Sequence, residues 1–177
     1  KLVIVNGISK SYGMTGFRIG WTVAAAPVIK AMINIQAQMI SCPSDLCQAA
    51  AAGAIEDGMA FVERLGAVLE RRRNLLLEGL SPLRKLKIHK PGGTFYSFPD
   101  FSAYERDSEK LAAFLLEKAL VITVPGKEFG MDGHLRISYC GSEAEIQEGI
   151  SRIRWALDGD FSDTIKIGAK TVKRDWL

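Results

Sequence analysis

Two short apolar runs, residues 2–5 and 19–26, bracket a glycine-rich stretch, and apolar residues at helical spacing follow over residues 28–39. The first run, Leu2, Val3, Ile4 and Val5, does not alternate, which suits a strand covered on both faces, as in a parallel sheet. The second run holds Trp21 and Val23 and stops at Pro27. Strand, loop, strand and helix in this order is the grammar of an α/β fold.

Residues 43–45 then offer a break and an N-cap. The alanine-rich segment 46–55 is expected to form a helix tightly packed against a neighbour and ended by Gly58. Val62, Leu65, Leu69 and Leu76 recur at helical spacing, so an amphipathic helix of about 20 residues should run to Gly79 and connect two domains. Beyond Pro82 the pattern changes. Residues 86–89 and 94–98 are short strand candidates separated by Pro91, Gly92 and Gly93, which fits a hairpin or close strand pair.

Asp107 or Ser108 can cap a helix striped by Leu111, Phe114, Leu115 and Ala119, and residues 120–124 and 134–139 read as strands. Ser142 followed by Glu145 is a capping box, and Ile146, Ile150, Ile153 and Leu157 then line one helix face. The expected organisation is an α/β segment over 1–57, a connecting helix over 58–80, a small α+β domain over 81–158, and a tail over 159–177 without clear periodicity.

Charge and composition exclude several classes. The 177 residues carry 23 Lys plus Arg against 20 Asp plus Glu, a net charge of +3, and lack the basic footprint of a nucleic-acid binder. Arg71, Arg72 and Arg73 read as a solvated helix face. No apolar run approaches the roughly 18 residues of a membrane span. Cys42, Cys47 and Cys140 are odd in number and lack the spacing of a zinc or redox motif, which points to a reducing, cytoplasmic setting. Cys140 is expected to be a buried small hydrophobe. His89 and His134 lack metal-ligand spacing and read as structural. The chain starts with Lys and enters directly into an apolar run, as a piece of a longer protein would.

The chemistry concentrates in residues 9–21, Ser-Lys-Ser-Tyr-Gly-Met-Thr-Gly-Phe-Arg-Ile-Gly-Trp. Lys10 sits on a glycine-rich loop just past a strand, and Arg18 stands before the next strand. Held among apolar strand ends, a lysine has its ammonium form disfavoured and its amine freed for Schiff-base chemistry. Glycines let the backbone and an arginine approach a phosphate closely.

This spacing resembles the pyridoxal phosphate signature of the class I and II aminotransferases. Pro91-Gly92-Gly93-Thr94-Phe95-Tyr96 resembles the family's glycine-aromatic strand entry. Val124-Pro125-Gly126, Phe129-Gly130 and His134-Leu135-Arg136-Ile137-Ser138-Tyr139 follow in family order. Residues 1–158 are similar to the C-terminal part of such an enzyme, most like the aspartate aminotransferase group. The fold class this implies is α/β, with the last strands of a large-domain parallel sheet plus a small α+β domain.

The resemblance also implies roles. Lys10 would hold pyridoxal 5'-phosphate as a Schiff base and, once displaced, act as general base and acid between the substrate α-carbon and the cofactor. Arg18 would grip the cofactor phosphate, and Arg136 would pair with the substrate α-carboxylate. Tyr12 and Phe17 read as packing residues, and Phe95 and Tyr96 as either substrate-entrance or core residues. Gly7 sits where some members carry a phosphate-binding serine, and whether Ser9 or a backbone amide substitutes is open.

In the family, the aspartate that pairs with the pyridine nitrogen and the aromatic residue that stacks the ring come from upstream of the lysine. Asp45, Glu56 and Asp57 do not match that context. The expectation is therefore a catalytically impaired fragment of an active homodimeric enzyme, whose open sheet edge associates with a missing segment or with another copy. The favoured reaction moves an amino group from an aspartate-like L-amino acid to a 2-oxo acid such as 2-oxoglutarate, with no nucleic-acid or membrane partner. A lyase of the same fold and a cofactor-sensing domain of a transcription regulator are the competing readings.

Overall fold

β1 (Ile4–Gly7) and β2 (Gly20–Val23) pair antiparallel, Ile4 opposite Val23 and Gly7 opposite Gly20, in a two-stranded sheet. The computed structural model describes residues 2–158 and 161–176; Lys1, Gly159, Asp160 and Leu177, two of which open the expected tail, lie outside the described residues. The chain divides into two units, Lys1–Ala67 and Val68–Leu177, with the boundary inside a long helix.

In the first unit the β1–β2 hairpin is followed by α1 (Ala26–Met39), with Pro27 in its first turn, and by α2 (Asp45–Asp57), with Gly58 as its C-cap. Proline is tolerated in a first turn because the N–H it lacks has no intrahelical partner there. Two sequence expectations change here. β1 is exposed and antiparallel where a strand buried in a parallel sheet was expected, and α2 buries Ala51 alone among its residues where close packing was expected. Val5, Met39 and Leu46 are each more than 70% exposed, so the apolar character of this unit faces outward within the described chain.

α3 (Met59–Leu80) crosses the unit boundary and buries Leu76 and Leu80 in the core of the second unit. Gly79 is required there by close approach: a Cβ at this position would stand 2.6 Å from Cδ1 of Ile150. Arg73 is also buried, contrary to the solvated face expected of the arginine run. Its guanidinium donates to the Pro91 carbonyl (3.3 Å) and pairs with Glu70 (2.7 Å).

β3 (Tyr96–Ser97), β4 (Val124–Pro125) and β5 (Leu135–Ser138) form an antiparallel sheet in the order β3-β5-β4. α4 (Ser108–Ala119) and α5 (Glu143–Leu157) complete the core with Leu111, Leu115, Ile146, Ile150 and Ile153. Both helix starts follow from sequence. The Asp107 carboxylate accepts from the Glu109 and Lys110 amides, and Ser142 with Glu145 forms the expected capping box. The strand expected over 86–89 reduces to a single bridge between Lys87 and Asp100. That over 120–124 shortens to β4, because Leu120 closes α4 in a left-handed conformation.

Past α5 the tail forms a hairpin, β6 (Thr164–Ile167) and β7 (Lys170–Lys173), around a two-residue turn with Gly168 at φ +59. Leading with glycine suits a tight hairpin turn. The hairpin's flanks are fixed to the end of α5. The Trp155 indole donates to Ser162 O (2.9 Å), Arg174 donates to Trp155 O (3.2 Å) and Asp158 O (2.6 Å), and Trp176 stands edge-on to Trp155 at 5.2 Å. A cation on these last carbonyls satisfies groups that the helix itself leaves unpaired.

Candidate active site

The Gly7–Gly20 pair closes a loop over residues 8–19 at its base. Its strands approach closely: a Cβ on Gly7 would stand 2.8 Å from the carbonyl oxygen of Ile19. A serine at this place therefore does not fit without a backbone shift. Inside the loop Ile8 is fully buried, the Gly13 amide donates to Lys10 O (3.1 Å), and the Met14 amide donates to Ile8 O (3.4 Å). Tyr12 is half-buried with its ring against Gly58, which fits a packing role, whereas Phe17 is exposed.

Lys10 and Arg18 are thus brought onto one closed loop of the first unit. Lys10 is exposed, and the expected enclosure by apolar strand ends is not formed by these residues. Arg18 follows a short 3-10 turn, Thr15–Phe17, with its backbone left-handed at φ 56, and its guanidinium donates to Thr15 O (3.0 Å). A left-handed arginine is uncommon and reverses the chain into β2. Beside it, a Cβ on Gly16 would meet no atom within 4 Å. A primary amine, a guanidinium and an open glycine on one loop form a donor set that fits an aldehyde bearing a phosphate, and pyridoxal phosphate is such a molecule.

Arg136 lies in the second unit, on β5. Side chains alternate across a strand, and directly opposed residues share a face. Leu135 and Ile137 point into the core with Ser97, while Arg136 and Ser138 point to the other face with Tyr96. On that face the Arg136 guanidinium carbon lies 4.4 Å from the Tyr96 ring centroid and 4.8 Å from that of Phe129. Among the described residues no carboxylate stands within ion-pair distance of Arg136, which leaves its N–H groups available to an anion.

The aromatic pair around Arg136 was not assigned from sequence. The parity of β3 and β5 carries the signal for Tyr96, whereas Phe129 arrives from the turn after β4, which no periodicity reports. The same parity corrects Cys140: it follows the open face of β5 and is exposed, where burial was expected. His89 is exposed, and His134 stacks on Phe98 with ring centroids 5.1 Å apart. Among the described residues no three His, Cys, Asp or Glu side chains are placed to hold a metal ion, and no helix is long and apolar enough to cross a membrane.

A hydrogen-bonded cluster ties the turn after β4 to α4. The Asp132 carboxylate accepts from the Ser108 hydroxyl (2.6 Å), the Ser108 amide (2.9 Å) and the Gly133 amide (3.0 Å). These donors, those of Ser108 first, hold the Asp132 carboxyl below the usual carboxylate range.

Comparison with known proteins identifies the family. Residues 1–153 match the family described as aminotransferase class I and II. An aspartate aminotransferase of Rhizobium meliloti is 39% identical over 164 residues, covering 86% of this chain and 40% of the relative. A probable aspartate/prephenate aminotransferase of Aquifex aeolicus is 42% identical over 159 residues, covering 87% and 40%. The crystal structure of the Rhizobium meliloti aspartate aminotransferase superposes with a TM-score of 0.84 at 38% identity, covering 88% of this chain and 42% of that one. The chain therefore spans about 40% of the length of these curated relatives. Members of this family work with pyridoxal phosphate. The chain belongs to the aminotransferase class I and II family.

Proposed function

We propose that the protein containing these residues transfers an amino group from an aspartate-like L-amino acid to a 2-oxo acid such as 2-oxoglutarate. The observation that carries this reading is the closed loop over residues 8–19, which holds an amine and a guanidinium together. Lys10 Nζ is the atom that would hold pyridoxal phosphate, and the Arg18 guanidinium would bind its phosphate. Bound there, the cofactor supplies an electron sink for chemistry at an amino acid's α-carbon. The Lys10 amine would also serve as general base and acid for the proton on the substrate α-carbon. Arg136 would pair edge-on with the substrate carboxylate through two parallel hydrogen bonds.

In this reading residues 1–57 belong to a cofactor domain, 58–80 connect, and 81–158 form the small domain of a homodimeric enzyme working in a reducing, cytoplasmic setting. The free thiols of Cys42, Cys47 and Cys140 support that setting. These 177 residues offer no aspartate in a context that pairs the cofactor's ring nitrogen. On their own they should turn over no faster than Lys10→Ala.

The test replaces the matching segment of the Rhizobium meliloti aspartate aminotransferase with this chain and supplies 15N-labelled aspartate with 2-oxoglutarate. Label appearing in glutamate, and lost in Lys10→Ala, is the expected result. Label released as ammonia assigns a lyase instead. A properly folded chimera that leaves the label in aspartate contradicts the assignment of an amino-transfer function.

A further inference from the structure

Arg136 is held by more than its own strand. β5 is the central strand of the β3-β5-β4 sheet, and the two rings reach it from opposite neighbours, Tyr96 from β3 and Phe129 from the turn that follows β4. They stand 4.4 and 4.8 Å from the guanidinium carbon and make no ring contact with each other among the described residues. Each ring is braced in turn. Tyr96 leans on Phe95 with centroids 4.3 Å apart, and Phe129 meets Phe98 edge-on at 5.8 Å. The backbone entering β3 is fixed as well, because the Tyr139 hydroxyl donates to Thr94 O at 3.1 Å.

A guanidinium binds rings through its flat faces and anions through its N–H edge. A carboxylate taken edge-on makes two parallel hydrogen bonds only if the plane is already set. Arginine otherwise loses considerable rotamer freedom on binding.

We propose that Tyr96 and Phe129 are positioning residues for Arg136: their rings occupy the guanidinium faces, leave the N–H edge to the ligand, and set the plane in which a carboxylate is bound. This rests on the reading of Arg136 as the carboxylate site. The aromatic ring, not the tyrosine hydroxyl, is the active element.

The test follows the Arg136 Nε–Hε resonance of the 177-residue chain by NMR, with succinate as the probe. In the wild type the resonance is displaced by the ring currents and moves further as succinate is added. Tyr96→Leu and Phe129→Leu each remove part of the displacement and weaken the succinate midpoint by about threefold to tenfold, the scale of a lost cation–π contact. Tyr96→Phe retains both. Phe129 is 47% exposed, so its leucine variant serves as the test if Tyr96→Leu unfolds. Leucine variants that bind succinate as the wild type does overturn the positioning role and leave Arg136 as the carboxylate site. A wild-type Arg136 that does not respond to succinate overturns the carboxylate reading itself, and the proposal with it.

Discussion

Gly7 and Gly20 face each other across the last rung of β1 and β2, and a side chain on Gly7 would press on the carbonyl oxygen one residue beyond Arg18. The position of Arg18 is therefore set partly by the absence of an atom eleven residues earlier. Gly7→Ser forces a backbone shift of a kind that typically costs about 1–3 kcal/mol. Thermal unfolding of the variant should show a lowered Tm. An unchanged Tm would mean that the hairpin relaxes freely and that the closure is not tight.

Arg18 is expected to act on the phosphate alone. Arg18→Ala should weaken pyridoxal phosphate binding by about tenfold to a hundredfold, the scale of a hydrogen bond to a charged group. Binding of pyridoxal, which lacks the phosphate, should be unaffected. Spectrophotometric titration with both compounds separates this from a general disturbance of the loop, which would weaken both.

The caps on α4 and α5 contribute locally. Ser142→Ala removes the acceptor for the Glu145 amide and dismantles the capping box, which should cost about 1 kcal/mol. Urea unfolding should show a lower midpoint with an unchanged slope, since the surface exposed on unfolding is the same.

Acid stability has a defined sign. The Asp132 carboxyl is held below its ordinary value by Ser108 and Gly133, and the Asp100 carboxyl by Ser102. A carboxylate whose folded pKa is depressed contributes stability above its unfolded value, near about 3.9, and loses that contribution as pH falls through the folded value. The Tm should thus fall as pH drops below about 4, and Asp132→Asn should make the fall shallower. A fall equally steep in the variant would remove Asp132 from the account.

Much of the second unit is legible in the sequence because its signals are local. Ser142 and Glu145 state where α5 begins, and Ile146, Ile150 and Ile153 state which face is buried. The resemblance through Lys10 and Arg18 located the loop, and the Gly7–Gly20 rung explains how it closes. The exposure of Leu2, Val3, Ile4 and Val5 was not legible, because an apolar run reports what a strand is fit to bury and not what covers it. Arg73 was misjudged for the reverse reason: its burial depends on the Pro91 carbonyl, 18 residues away, accepting its hydrogen bond. The tail, expected to lack periodicity, pairs Ile165 with Val172 in a hairpin of four-residue strands, too short for a periodic pattern to register.

The most direct measurement is mass mapping of the chain after incubation with pyridoxal phosphate and reduction with borohydride, alongside Lys10→Ala. One cofactor mass fixed on Lys10, and none at that level in the variant, is the expected result. Label spread over the surface lysines with no preference for Lys10, or an equal yield in Lys10→Ala, would contradict it.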